Sequence, residues 1–170
     1  MGTVPTPIRP GASTAATSAQ PGSWCDAIIF ALKPPACRAI TNALINITAS
    51  TDTVIPFGSD TLDQVQSGDA EMHSTSTNTS RITIRTAGVY AVHGQVQLST
   101  TGSGSIAIQK NGVTVSTIAV ASISGQTSIP ISDLVPCTVG DYIELMVSTT
   151  AAGSITAAWP TWINVHWMSN

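Results

Sequence analysis

The feature that most constrains this chain is a two-residue alternation of apolar and polar side chains, which recurs from residue 37 onward. In one segment, Tyr90, Val92 and Val96 alternate with His93 and Gln95. Successive residues of a strand point to opposite faces of a sheet, so the alternation predicts strands with one buried face. The predicted strands are 38–48, 80–85, 88–99, 104–110, 113–122, 127–132, 140–149 and 160–168.

Turn residues separate these segments. Asn111-Gly112 stands between two β-branched runs and is typical of a two-residue hairpin. The stretches 101–104 and 139–141 contain Gly and predict further breaks. The long polar stretch from Gly58 to Thr79 predicts a surface loop. Short antiparallel strands at this spacing predict a single all-β jelly-roll sandwich, for which we set the bounds 37–170.

Residues 1–36 differ in composition and are interpreted as an extended arm followed by one short apolar helix. Residues 1–22 are rich in Pro, Thr, Ala, Ser and Gly and cannot bury enough surface to order themselves. A helix is predicted over 23–33, with Ser23 as N-cap and Pro34-Pro35 as its stop. Its side chains are apolar on nearly every side, so we expect it to insert into an oligomer axis or a partner. The alternative is that it packs on its own jelly roll. The predicted anchoring residues are Ile8, Trp24, Ile28, Ile29, Phe30 and Leu32.

The low charge of the chain argues against some classes of partner. Charged residues make up 9% of the chain and the net charge is −3, with no run of Lys or Arg. A nucleic-acid partner or an anionic membrane surface would need a basic patch, so neither is expected. No apolar stretch approaches the roughly 20 residues that cross a bilayer, so membrane insertion is not expected either. The N-terminus does not have the pattern of a signal peptide, which predicts assembly in a cytoplasm.

No pattern indicates catalysis or a cofactor. The three histidines lie on different segments without metal-ligand spacing, and no Gly-x-Ser-x-Gly sequence occurs. The three cysteines are expected to be reduced and buried, with a Cys25–Cys37 bridge as the alternative. One acidic segment contains Asp60, Asp63, Asp69 and Glu71. Calcium binding is one interpretation of it, but the spacing fits no EF-hand, which favours a solvated loop.

From about residue 38 onward, the chain resembles the C1q/TNF-like jelly roll. The resemblance is carried, in order, by Ile55-Pro56-Phe57, Met72-His73-Ser74, Arg81–Ile84, Ala87–Tyr90, Ile108–Gly112 and Val139–Leu145.

A closer resemblance is to C1q-like minor virion proteins, or minor tail proteins, of tailed phages that infect actinobacteria. Its residues are Phe30–Cys37, Met72–Ile84 and the tryptophan-rich Trp159–Trp167. The resemblance implies a homotrimer in the virion, anchored to other virion proteins by its N-terminal segment. A surface-projecting tail-tip protein that contacts the host surface is the expected function. A capsid decoration or head fibre and a glycan- or receptor-binding module are the alternatives, and a host-surface glycan is a further candidate partner.

Three aromatic or titratable residues are predicted at the trimer interface. By alternation, Trp167 shares a face with Ile163 and Val165, whereas Trp162 and His166 point the other way. Aromatic residues outside a core mark subunit interfaces more often than sugar sites, although a carbohydrate platform that includes Trp159 is the alternative. We therefore assign Trp162, His166 and Tyr142 to the interface.

Overall fold

A computed structural model describes residues 27–28, 30–41, 43–156 and 159–169. Residues 27–28 and 30–32 are helical, as predicted for that part of the chain. Ten strands follow, all paired antiparallel. They are β1 (Ala36–Thr41), β2 (Ile45–Ile47), β3 (Thr53–Val54), β4 (Ser59–Gln64), β5 (Ile82–Thr83), β6 (Gly88–Lys110), β7 (Val113–Cys137), β8 (Tyr142–Thr149), β9 (Gly153–Ile155) and β10 (Thr161–Ser169). Within these described ranges, no helix has the length and apolarity to cross a bilayer.

Two layers share the long β6–β7 hairpin. In the first layer the order is β4, β1, β10, the beginning of β6 and the end of β7. In the second layer, β8 lies between the end of β6 and the short strands β3 and β5, while the beginning of β7 lies beyond β6. The short β2–β9 pair joins β6 at Leu98 and Ser99. This arrangement is the predicted jelly-roll sandwich.

The predicted break at 101–104 is wrong, because the ladder continues through it. Strands predicted as 88–99 and 104–110 form the single strand β6, and those predicted as 113–122 and 127–132 form β7. The register shifts between Gly102 and Gly104, and Gly102 has a φ of 103°. A bulge with a glycine in a left-handed conformation bends a strand without ending it, which the composition alone does not distinguish from a loop.

The prediction of a loop from Gly58 to Thr79 is also wrong in part, because it contains β4. This strand pairs with β1 at the edge of the first layer. An edge strand with little buried surface needs no regular apolar face, so its Asp-rich sequence resembles that of a loop. The predicted strand 38–48 divides into β1 and β2, and the predicted strand 80–85 is reduced to β5.

The Asn111-Gly112 hairpin forms as predicted. Asn111 and Gly112 have φ angles of 53° and 77°. These positive values at both central positions are the ones that a type I′ turn requires. The Asn111 side chain donates to Asp141 Oδ1 at 2.7 Å and accepts from the backbone N–H of Tyr142 at 3.0 Å. The turn is thereby joined to the start of β8.

The core lies between the layers and is aliphatic, with Tyr90 and Phe57 as its large rings. Ile143, Leu145 and Val147, which share one face of β8, are fully buried, as are Ile163 and Val165. The two layers approach closely at Gly94, because a Cβ there would lie 2.7 Å from Cδ1 of Leu145. The Tyr90 hydroxyl donates to Thr86 O at 2.6 Å, so this buried ring keeps a hydrogen bond.

Candidate functional site

The outer face of the first layer is the broadest candidate surface for a partner. Strand register places Ile40, Trp162, Gln95 and Pro130 in one row across the layer. The parallel rows contain Arg38 with Asn164 and His93, and His166 with Ala91 and Leu134. We use the name "outer face" for Arg38, Ile40, His93, Gln95, Leu134, Trp162, Asn164 and His166.

This outer face carries little charge. Arg38 has its only permanent charge, and its guanidinium carbon lies 4.9 Å from the centroid of the Trp162 ring. Trp162 and His166 are half-buried in the single chain and Leu134 is exposed. A surface that contains a tryptophan and few charges has the composition of a protein–protein interface.

The beginning of β7 forms a second apolar surface. Within the described residues, β7 pairs only with β6, so it is an edge strand. Val113 and Val115 remain 67% and 42% exposed, and Ile118 is also exposed. An uncovered edge strand with β-branched side chains readily associates with another chain.

Of the three predicted interface residues, the structure brings together two. Trp162 and His166 lie on the same face of β10. Tyr142 lies on β8 in the other layer, where its ring centroid is 4.1 Å from the guanidinium carbon of Arg81. Tyr142 is therefore not part of the outer face.

The described part of the anchoring segment has one attached side and one exposed side. The rings of Phe30 and Trp167 meet edge to face, with centroids 4.6 Å apart. Ile28 and Leu32 are 55% and 75% exposed, so the expected burial on every side does not occur within one chain. The predicted anchoring residues Ile8, Trp24 and Ile29 lie outside the described residues.

The chain just after this helical segment is fastened to the jelly roll. Gln64 Nε2 donates to Pro34 O at 2.7 Å, and Gln66 Nε2 donates to Lys33 O at 2.9 Å. The backbone N–H of Trp167 donates to Pro35 O at 2.9 Å. The exposed side of the segment is therefore held in a defined direction by the edge of the first layer.

The acidic residues proposed for calcium have contacts within the chain. The two carboxylate oxygens of Asp63 accept the backbone N–H groups of Met72 and His73 at 3.1 and 3.0 Å. Asp60 Oδ1 lies 2.6 Å from Nδ1 of His73. Nowhere in the described ranges do three or more His, Cys, Asp or Glu side chains form a group that could hold a metal.

The Asp60–His73 pair resembles the Asp–His part of a hydrolase triad, but among the described residues no nucleophilic side chain bonds to the other ring nitrogen. His73 Nε2 lies 2.9 Å from the backbone oxygen of Thr79. A carbonyl only accepts hydrogen bonds, so this nitrogen donates and is not available to activate a hydroxyl. The pair fastens the 70–79 loop to β4, which is a structural role.

The described cysteines are buried free thiols, Cys37 and Cys137. Burial raises the pKa of the Cys137 thiol to about 11, and burial followed by the Asp63 and Asp60 carboxylates raises that of Cys37 further. Thiols with raised pKa values are poor nucleophiles, which agrees with a packing role. Cys25 lies outside the described residues.

Sequence analysis did not single out two apolar surface residues, Leu134 and Val115. Both stand in β7, where the local pattern does not distinguish a leucine or valine that points inward from one that points outward. The proline at 130 was the one available signal, since proline in a strand favours a sheet edge.

Comparison with known proteins gives the fold and no closer relationship. Neither a scan against protein-family models nor a search of curated proteins gives a match. Among solved structures, the globular domain of zebrafish complement 1qA is 11% identical, with a TM-score of 0.53 over 80% of this chain and 99% of that one. Murine APRIL is 13% identical, with a TM-score of 0.53 over 78% of this chain and 99% of that one. The chain therefore has the C1q/TNF-like jelly-roll fold.

Proposed function

We propose that this chain is a homotrimeric structural protein of a tailed-phage particle, anchored by its N-terminal segment and projecting its jelly roll outward. It acts by binding and not by catalysis. The observation that carries the proposal is a pair of separate surfaces on one small domain, one weakly charged and one apolar. These are the outer face and the beginning of β7.

Trimer formation is supported by the way these surfaces complement each other. C1q/TNF-fold domains typically form homotrimers. A closed ring requires two different patches on each copy, one of which contacts the other on the next copy. The outer face is broad and includes Trp162, whereas the beginning of β7 is a narrow edge with exposed Val113 and Val115. Burial of these groups would contribute about 25 cal/mol per Å² of apolar surface.

Anchoring is supported by the exposed side chains of Ile28 and Leu32. Gln64 and Gln66 donate hydrogen bonds to the backbone just after Leu32 and hold it in place. Because this segment is already held in place, little conformational entropy is lost when its two apolar side chains enter a pocket on a partner. Other virion proteins are the proposed partners. The resemblance of Phe30–Cys37 to the same segment of minor virion proteins supports a tail-tip location, and a capsid decoration remains the alternative.

The trimer is tested by light scattering on the full chain after size-exclusion chromatography. We expect three times the chain mass for the wild type. Leu134→Glu would place one charge in the outer face of each copy and should give monomers that retain the far-ultraviolet circular dichroism spectrum. The matched control is Val139→Glu, because Val139 is exposed to a similar extent, 65% against 60%, but lies outside the outer face. A monomeric wild type at micromolar concentration would contradict the proposal.

Anchoring is tested by adding purified full chain to particles that lack this protein, followed by sedimentation. We expect the wild type to sediment with the particles and the double variant Ile28→Asp/Leu32→Asp to remain in solution. Leu44→Asp is the control, since Leu44 is an equally exposed apolar residue elsewhere on the surface. Immunogold labelling of complete particles would distinguish tail from head, and labelling on neither would refute a virion location.

A further inference from the structure

A polar cavity of about 430 Å³ lies beside the second layer, and its lining residue Tyr142 contacts the Asn111-Gly112 turn where β7 begins. The loop around residues 70–78 forms one wall, and β5 with its flanking residues forms another. Gly140 and Tyr142, at the start of β8, complete it. The volume is within the usual range of about 300–1,000 Å³ for small-molecule sites. All of these residues belong to one chain, so the cavity does not depend on a neighbouring copy.

Two arginines line the cavity and both are held in place. Arg85 donates from Nε and Nη2 to the backbone oxygen of Glu71, at 2.9 and 2.7 Å. Arg81 donates from Nε to Glu144 Oε1 at 3.3 Å while its guanidinium lies over the Tyr142 ring. Such anchoring fixes each guanidinium plane before any ligand arrives, which lowers the entropy cost of binding.

Arg85 is anchored by a backbone oxygen and not by an acidic side chain, although Glu71 also lines the cavity. Its anchor is a neutral carbonyl, and over the described ranges no carboxylate forms an ion pair with it. Arg81 differs, because Glu144 pairs with it and also accepts from Ser80 Oγ at 2.7 Å. The whole chain has only six Lys and Arg residues, and two of them line this cavity. Arg85 is therefore the cationic side chain of this cavity that forms no ion pair within the described residues.

Small polar groups complete the lining. Ser74 Oγ accepts the backbone N–H of Thr77 at 3.2 Å and lies 3.1 Å from the Thr77 hydroxyl. Asn78 has a φ of 49°, and its backbone oxygen accepts the N–H of Arg81. Hydroxyl and amide groups that are fixed by a tight turn can hydrogen-bond to sugar hydroxyls, while a guanidinium fork matches a carboxylate or phosphate.

We propose that this cavity binds the anionic group of an acidic saccharide, with Arg85 as the main contact and Arg81, Ser74 and Asn78 around the sugar ring. Carboxylate and phosphate are both oxyanions that fit an arginine fork, so the shared chemistry is a sugar that bears an oxyanion. The choice of a saccharide rests on the proposed function, in which the protein projects from a particle toward a host surface. The cavity would give such a protein a site for contact with charged groups on that surface.

Calorimetry on the full chain tests the site with four probes: glucuronate, glucose 6-phosphate, inorganic phosphate and glucose. We expect at least one of the two anionic sugars to bind at least about tenfold more tightly than glucose and inorganic phosphate. Glucose lacks the oxyanion, and inorganic phosphate lacks the sugar ring. Equal binding of inorganic phosphate and glucose 6-phosphate, with no binding of glucuronate, would overturn the saccharide assignment. Binding of neither anionic sugar would overturn the site.

Arg85→Gln should weaken the binding of the preferred anionic sugar by about tenfold or more, because one charge-assisted contact is lost. Lys33→Gln removes one positive charge from an exposed position outside the cavity and should change the affinity less than about twofold. Equal effects of the two variants would contradict the role of Arg85. Independently of any variant, amide resonances of Asn78 and Gly140 in the wild type should shift on titration, and shifts only elsewhere would refute the location.

The molar mass of the same samples separates this inference from the proposed function. A trimer that binds no anionic sugar would remove the inference and leave the trimer proposal intact. A monomer that binds glucuronate through Arg85 would do the reverse.

Discussion

The two halves of β7 pair with the same neighbour and yet have opposite environments. In residues 123–137, the side chains of Ile129, Ile131 and Val135 are buried between the layers. In residues 113–122, Val113, Val115 and Ile118 are exposed, although this half also pairs with β6, with one register shift between Ile108 and Gln109. Backbone pairing therefore explains why both halves are strands but not why only one contributes to the core. We expect the second half to stabilise the single chain and the first half to stabilise an assembly.

The largest expected effect is loss of core packing in the second half. Ile131→Ala removes buried methyl groups and leaves a cavity, so we expect the free energy of unfolding to fall by about 2–5 kcal/mol. Ile118→Ala in the first half should cost less than about 1 kcal/mol in the monomeric Leu134→Glu background. Urea unfolding at a fixed protein concentration measures both, and equal losses would refute the contrast between the halves.

A charge in the first half should act on the assembly and not on the fold. For Val115→Glu, we expect the trimer dissociation midpoint to rise by at least about tenfold in concentration, because a charge would be buried against the next copy. The circular dichroism spectrum should stay unchanged. Sedimentation equilibrium measures the midpoint, with Val139→Glu as the control. If Val115→Glu leaves the midpoint unchanged, the edge of β7 is not part of the interface.

Hydroxyl groups in the two regions should also differ in their contribution to stability. Tyr90→Phe leaves Thr86 O without its 2.6 Å partner beside the buried core, which we expect to cost about 1 kcal/mol. Thr117→Val removes a 3.2 Å bond to Ile106 O at the exposed edge, where water can replace the hydroxyl. Its cost should be below about 0.5 kcal/mol. Thermal unfolding of the two variants in the Leu134→Glu background checks this, and a larger loss for Thr117→Val would reverse our interpretation.

The smallest effect concerns the turn that opens the first half. The backbone N–H of Thr138 and the Asn111 side chain donate to Asp141 and lower the pKa of its carboxyl. A lowered folded-state pKa contributes stability that is present above the unfolded value of about 3.9 and is lost as the pH falls through the lower, folded value. We expect Asp141→Asn to have a lower thermal unfolding temperature than the wild type at pH 6, and we expect this difference to shrink below about pH 4. Asp52→Asn, at an exposed position, is the control, and a difference for Asp141→Asn that does not vary with pH would contradict the assignment.

Local patterns in the sequence predicted many parts of this fold correctly. The Asn111-Gly112 turn formed with the expected positive φ angles, and Ile163 and Val165 are buried as alternation required. The same patterns failed where a strand lacks a buried face. Thus β4 was predicted as a loop, and the glycines at 102 and 104 were predicted to end a strand that continues.

The candidate sites were less predictable. Trp162 and His166 were grouped correctly on one face because they share a strand, whereas Tyr142 was grouped with them although it lies in the other layer. Arg81, Thr83 and Arg85 have the spacing of residues on one face of an extended segment, which is a signal that sequence analysis could have used. The wall contributed by residues 70–78 has no comparable signal, because its distance from β5 depends on contacts such as that between Asp63 and the backbone of Met72.

By itself, the sequence determined most of the strands that have a buried face, which side chains of a strand share a face, and where the Asn111-Gly112 hairpin reverses. These properties depend on backbone geometry over a few residues and hold in any fold. Only the tertiary structure decided which faces are covered, that the two halves of β7 differ, and that Arg85 forms no ion pair within the described residues. Burial and charge pairing depend on atoms brought together from distant segments, and no short window of sequence contains that information.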